Sequence, residues 1–267
     1  MVWEKEKDEF CVSLGPFSVG LATNERKFTE RLAAYYCQFL TDEAPILSLR
    51  VSLLEGDAEV PLMPKVSPHR IEFDQSGYQG VVDWRARTAY LSLGVKNPLF
   101  GVDYFLRLVG ALAAESIGGL MVHAAGVERE GKAYLFLGHS GAGKTTTARN
   151  SPPGSVLNDD LIVLYRSGER WFAAATPFHN PTQNRPRQGC APLAVLLYLV
   201  KDVRVYLEPT SPAHALAEML ACIPILTLEP FYAKSFLERC QDILRSVPYY
   251  RLHLLPDASY WEVVLER

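Results

Sequence analysis

Apolar positions along this chain fall into blocks of two kinds: short runs alternating with polar residues, and longer stretches repeating every three to four residues. The first block, residues 10–21, alternates around glycine and proline and predicts an opening strand or hairpin. Residues 25–40 place Phe28, Leu32, Tyr35, Tyr36 and Phe39 on one helical face, with Asn24 as N-cap. A strand is predicted over 46–54, then a turn-rich acidic and proline-rich piece over 55–68. Residues 70–73, 78–83 and 88–93 are β-type runs separated by turn residues, which predicts an antiparallel meander. Pro98 suits the first turn of a helix that continues through 102–117 and stops at Gly118-Gly119. Residues 1–100 therefore read as a small α+β module without a recognisable catalytic constellation.

From there strands and helices interleave. Two strands, 120–127 and 133–137, flank a tight turn at Glu130-Gly131, and a brief helix follows that Ser151-Pro152-Pro153-Gly154 must break. A strand over 155–158 ends in Asp159-Asp160, and 161–165 with 171–176 predict a hairpin around Ser167-Gly168. Residues 177–189 are polar and aperiodic, a surface loop. The runs 193–200 and 203–207 read as a strand pair turning at Lys201-Asp202. Ser211 then caps a helix with Pro212 at its first position. A second helix over 230–247, a strand over 249–255 and a closing helix over 257–267 complete the chain. The predicted class is α/β (α+β overall), with a second domain over 101–267.

One stretch carries chemistry. After the apolar run 133–137 the chain reads GHSGAGKTT, fitting G-x-x-x-x-G-K-T, the pattern of a phosphate-binding P-loop. Gly138, Gly141 and Gly143 let the backbone curl, and the loop amides of Gly138, His139, Ser140, Gly141, Ala142 and Gly143 surround an anion. His139 occupies a variable position and lines the mouth. Lys144 is placed to reach the β- and γ-phosphates, Thr145 to ligate Mg²⁺, and Thr146 to continue the nucleotide contact. The strand before the loop and the helix-competent residues after it are the context that the motif requires.

Composition narrows the rest. With 267 residues, 48% hydrophobic and 21% charged, the chain can bury a sizeable core without metal or disulfides. A net charge of −3 and the lack of a basic run predict no nucleic-acid or membrane partner. Five cysteines, Cys11, Cys37, Cys190, Cys222 and Cys240, are odd in number and never in C-x-x-C, against a disulfide framework or a zinc site. The charged opening MVWEKEKDEF shows no secretory pattern, so a reducing, cytoplasmic setting is expected.

Phosphoryl transfer also needs a metal partner and a proton acceptor. Asp159 and Asp160 end a strand soon after the P-loop, where a Walker-B-type acid reaches the metal. His123 lies on the strand before, and a carboxylate set against it favours a base-competent pair. Arg185 and Arg187, in the polar loop, are candidates to clamp a phosphate or a substrate carboxylate.

The segments VHAAGV, GKAYLFLGHSGAGKTTTAR, VLNDDLIVL and ATPF together resemble the HPr kinase/phosphorylase family, the PEP carboxykinase-like class of P-loop proteins. There a histidine precedes a G-x-S-G-x-G-K-[ST] loop and a strand then delivers an acidic pair. The later VPYYRLHLLPD also resembles distant kinase-like relatives associated with peptide-maturation clusters. The resemblance implies a PEP carboxykinase-like nucleotide domain using ATP and Mg²⁺ to phosphorylate a serine hydroxyl on a protein, a peptide or free serine. It puts His123 and Asp159 at that hydroxyl, Asp159 as general base, and Asp160 beside Thr145 on the metal. The bacterial enzymes' further metal-binding glutamate and signature segment have no counterpart between Trp171 and Arg187. That departure sets two other readings beside the kinase: a nucleotide-binding accessory protein without phosphotransfer, and a simple ATPase. Phosphoryl acceptor, nucleotide preference and homo-oligomerisation are left open.

Overall fold

The computed structural model describes residues 9–60, 64–67, 69–178, 186–224 and 230–266. The protein is mixed α/β with two large mixed sheets, and it divides into two compact units, Met1–Gly110 and Ala111–Arg267. The division falls within one helix, ten residues beyond the boundary expected from the sequence.

The first unit runs β1 (Phe10–Ser13), β2 (Ser18–Thr23), α1 (Arg26–Tyr35), β3 (Leu40–Thr41), β4 (Leu47–Ala58), β5 (Lys65–Ser67), β6 (Arg70–Gln75), β7 (Tyr78–Asp83), β8 (Thr88–Val95) and α2 (Pro98–Ser116). Its sheet has the order β3-β1-β2-β4-β8-β7-β6-β5. The meander β6–β7–β8 is antiparallel as expected, but β2, β4 and β8 pair in parallel at the centre. Those inner strands bury Val19, Leu21, Leu47, Leu49, Val51, Leu91 and Leu93. The outermost strands, β3 and β5, span only two and three residues.

α1 differs in its cap. Glu25 occupies the N-cap position without a side-chain bond, whereas Asn24 accepts from Leu53 N at 2.9 Å and so ties the turn to β4. The aromatic stripe serves the core. Phe28, Leu32, Tyr36 and Phe39 are buried, and the Tyr36 hydroxyl donates to Asp103, which also receives Arg107 Nε at 2.9 Å.

The second unit holds β9 (Leu120–Arg129), β10 (Lys132–Leu137), α3 (Lys144–Arg149), β11 (Val156–Asn158), β12 (Leu161–Ser167), β13 (Arg170–Ala175), β14 (Cys190–Lys201), β15 (Tyr206–Pro209), α4 (Pro212–Leu220), α5 (Pro230–Ser246), β16 (Tyr249–Leu254) and α6 (Tyr260–Leu265). Two long strands, β9 and β14, each pair with three neighbours. β9 pairs with β12 through Leu120–His123 and with β10 through Ala124–Arg129. β14 pairs with β13 at its start and with β10, in parallel, from Leu193 onward. Because β12 also pairs with β13, the ladder β10–β9–β12–β13–β14 closes on itself.

The expected pairing of residues 193–200 with 203–207 does not form. β16 inserts between them, parallel to β14 and antiparallel to β15. Burial explains the order. β16 contributes Leu252 and Leu254 to the core, whereas β15 is short, only partly buried and ends in Pro209, as an edge strand should.

α3 and α6 pack on one face of β10, β14 and β16 around a core that includes Phe136, Leu197, Leu199, Leu252, Tyr260 and Trp261. Tyr260 and Trp261 meet the Phe136 ring edge-on at 5.6 and 5.7 Å. A six-residue helix such as α3 is marginal alone. Here the Tyr260 hydroxyl donates to Thr147 O at 2.9 Å and supports its last turn. Among the described residues no helix is long and apolar enough to cross a membrane.

Candidate active site

Strand register assembles the site. Glu130 and Gly131 both take left-handed backbone (φ 53° and 71°), giving the tight hairpin turn that joins β9 to β10. That turn sets Leu137, the last residue of β10, opposite Ala124. One residue earlier on β9, His123 faces Leu161 of β12. His123 thus sits one residue before the stretch of β9 that pairs with β10, and beside Asp160. The Ala124 amide donates to Asp160 O at 3.0 Å, and His123 Nδ1 lies 3.2 Å from Asp160 Oδ1.

Asn158 holds the acidic turn in place. Its buried side chain accepts from the amides of Asp160 (2.6 Å) and Leu161 (3.1 Å) and donates to the carbonyls of Thr176 (2.8 Å) and Phe178 (2.7 Å). Phe178 is fully buried, so the loop expected over 177–189 begins inside the protein. The two acids part company here. Asp160 borders His123, while Asp159 is 3% exposed with both carboxylate oxygens sealed from solvent. The resemblance set both His123 and Asp159 at the acceptor hydroxyl, and the structure adds Asp160 at 3.2 Å from His123.

The G-x-x-x-x-G-K-T loop has the curled backbone that its glycines permit. Gly138 has φ 151°, and a Cβ there would stand 2.8 Å from that of Ala142. Gly143, with φ 117°, starts α3, and nothing stands within 4 Å of where its Cβ would be. Ser140, Gly141 and Thr146 are exposed and Thr145 half-buried, whereas Ala142 packs into the core. His139 lies exposed at the mouth, its Nδ1 on Ser140 O at 2.7 Å. Lys144 is buried, and its ammonium donates to Gly138 O (2.8 Å) and His139 O (3.1 Å). Burial pushes its pKa down, with Cys222 and Asp160 acting in the opposite direction.

Two supporting residues have no motif to announce them. Cys222, just past α4, accepts from the His123 amide through its carbonyl at 2.7 Å. Its thiol takes the Gly138 amide and sits near Lys144, and burial raises its pKa. Tyr198 on β14 receives the His139 amide. Cys222 therefore links β9, the P-loop and α4, a role that the absence of C-x-x-C spacing could not reveal.

Arg187 has partners of its own. Its guanidinium pairs with Glu128 and donates to Gly154 O, which braces the loop after α3 against β9. Arg185 lies outside the described residues. Among the described residues no three His, Cys, Asp or Glu side chains form a metal-binding group. Thr145 and Asp160 offer hard oxygen donors, the type that suits Mg²⁺.

No protein-family model matches the chain, and no curated protein matches it significantly.

Proposed function

We propose that this protein is an ATP-dependent phosphotransferase with a PEP carboxykinase-like nucleotide domain, moving the γ-phosphoryl group to a serine-type hydroxyl of a protein, peptide or small molecule. The observation that carries the reading is a carboxylate–histidine pair, Asp160 with His123, that strand register sets next to the strand feeding the G-x-x-x-x-G-K-T loop, whose Lys144 feels the Asp160 charge. A glycine turn with a chance lysine has no reason to bring Asp160 and His123 beside it.

In this reading the loop amides and Lys144 hold the phosphates, and catalysis rests on positioning and electrostatics. Thr145 and Asp160 would hold Mg²⁺, which neutralises phosphate charge when bound. That ion takes one or two protein oxygens and fills its shell with phosphates and water, so the small donor set fits it. His123 has a side chain 43% exposed and is oriented through Nδ1 by Asp160. It is therefore the proton acceptor for the incoming hydroxyl. The resemblance gives that role to Asp159, whose carboxylate is buried one residue away. We place the activity in the reducing cytoplasm, in keeping with five unbridged cysteines.

The test is transfer of labelled phosphate from ATP with Mg²⁺ to free serine and serine-bearing peptides. His123→Ala and Asp160→Asn are each expected to lower turnover by about 10²-fold or more. Asp159→Asn should cost less, and Lys144→Ala should abolish nucleotide binding. A larger loss for Asp159→Asn than for Asp160→Asn would return the base role to Asp159. Tight, Lys144-dependent binding with no transfer to any acceptor would replace the kinase reading with the accessory one.

A further inference from the structure

The proposed transfer leaves the His139 side chain without a task. His139 stands second in G-x-x-x-x-G-K-T and is exposed at the mouth of the loop. Its backbone is fixed. The carbonyl accepts the Ala142 amide at 3.1 Å, closing a four-residue turn with Gly141 in third place at φ 79°. The same oxygen takes the Lys144 ammonium, also at 3.1 Å. His139 is therefore joined directly to the cation assigned to the phosphates.

The ring is held as well. A carbonyl oxygen can only accept, so the 2.7 Å contact with Ser140 O puts a proton on Nδ1. In the neutral ring the lone pair then lies on Nε2, which among the described residues has no hydrogen-bond partner. His253 shows the contrast within this chain. Its Nδ1 faces Asp202 at 2.8 Å, its Nε2 faces Glu208 at 3.1 Å and the ring stacks on Tyr206, so both nitrogens are engaged. The loop hydroxyls of Ser140 and Thr146 are exposed too, but each must give up a proton to attack. The imidazole attacks with a lone pair that it already holds, and no base is needed.

We propose that His139 Nε2 takes the γ-phosphoryl group of ATP bound in its own loop, so that the chain phosphorylates itself when no hydroxyl acceptor is present. The inference rests on the phosphotransferase reading above. In the step, the Nε2 lone pair forms a bond to the γ-phosphorus, and the bond from that phosphorus to the bridging oxygen breaks. Its electron pair leaves on ADP. The ring becomes an imidazolium, whose charge is stabilised through Nδ1–H on the Ser140 carbonyl, the part that an orienting group plays beside a catalytic histidine. Release of the Nδ1 proton to solvent then leaves a neutral ring carrying the phosphoryl group.

The full chain is incubated with Mg²⁺ and ATP labelled at the γ-phosphate, with no acceptor added. Label on the protein is expected, stable in alkali and lost in acid, as a phosphorus–nitrogen bond is and a serine or threonine ester is not. Tandem mass spectrometry of the wild type, kept alkaline, should place it on His139. The rate constant should not depend on protein concentration, because nucleophile and nucleotide share one loop. His139→Asn keeps an amide that can donate to Ser140 O but has no nucleophilic nitrogen, and it should lose nearly all of the label. Calorimetry on the same preparations separates the two readings. Lys144-dependent ATP binding with no label, with label on His123 or with an acid-stable ester would overturn the assignment to His139 and leave the phosphate site standing. An undiminished label in folded His139→Asn would do the same. Failure of the folded wild type to bind ATP would overturn both readings.

Discussion

Replacing Asn158 with alanine removes one buried side chain and orphans four backbone groups at once. The amides of Asp160 and Leu161 lose their acceptor, and the carbonyls of Thr176 and Phe178 lose a donor. A typical buried hydrogen bond contributes about 1 kcal/mol net, and a group left unsatisfied costs about 1 to 3 kcal/mol. The four together, with partial relief from water entering near the half-buried Asp160, give an expected loss of about 3 to 4 kcal/mol. The assay is urea denaturation followed by far-UV circular dichroism and tryptophan fluorescence. It is fitted as two transitions, since the chain forms two compact units and a single two-state fit is not warranted. The loss should fall on the transition that reports Trp171 and Trp261, both in the second unit, and leave the other unmoved. Asn158→Asp supplies an independent arm. It keeps the acceptor for Asp160 and Leu161 but sets a carboxylate against two carbonyls, so it should cost at least as much. A loss below about 1 kcal/mol for both variants would refute the idea that Asn158 fixes the acidic turn.

Other outcomes follow from the same contacts. Tyr260→Phe keeps the edge-on packing against Phe136 but loses the bond to Thr147 O, so it should lower stability by about 1 kcal/mol in the same denaturation assay. Arg187→Ala should leave triphosphate affinity unchanged, because its guanidinium is committed to Glu128 and Gly154; weakened binding by calorimetry would return it to the site. Thiol titration of the native protein should find Cys37 and Cys190 reactive and Cys11, Cys222 and Cys240 protected until urea is added. Burial pushes the Cys240 thiol up to about 12, so raising the pH to 9 should not expose it as a fast-reacting group. Asp202 is held below the usual carboxylate range, first by the Val203 amide and then by His253. A depressed carboxylate stabilises above its unfolded pKa of about 3.9 and loses that contribution as pH falls through its folded value. Asp202→Asn should therefore be less stable than wild type at pH 7, with the gap narrowing below about pH 4 in acid denaturation.

What was legible in the sequence was local. Ser211 and Pro212 announced the start of α4 because capping and a proline first turn are decided within four residues, and Ser211 indeed accepts from His214 N. The hairpin into the P-loop strand was legible from Glu130-Gly131 for the same reason. Sheet order was not. Whether β15 lies beside β14 or beyond β16 depends on pairing between residues some fifty positions apart, and strand composition carries no such address. Nor could alternation say which of Asp159 and Asp160 faces His123, because β11 is irregular between Val156 and Asn158 and the period of two is lost there. Asn158 had a weak signal, an asparagine just before a turn, where such side chains bond to the backbone two residues on. Cys222 had none, since its role consists of contacts with β9 and the P-loop, both far away in sequence.

The outermost strands bear on the peptide acceptor proposed above. In the first unit the sheet ends in strands of two and three residues, and in the second β15 offers four residues ending in proline. An extended peptide docks by adding itself to a sheet when it finds a long run of unanswered amides and carbonyls. Among the described residues these borders are short and interrupted and provide none. If the proposed transfer to a peptide holds, that peptide would have to be recognised through its side chains and presented to His123 as a turn or a terminus. Acceptors with a hydroxyl on a compact or mobile segment would be favoured over those with a serine inside a strand.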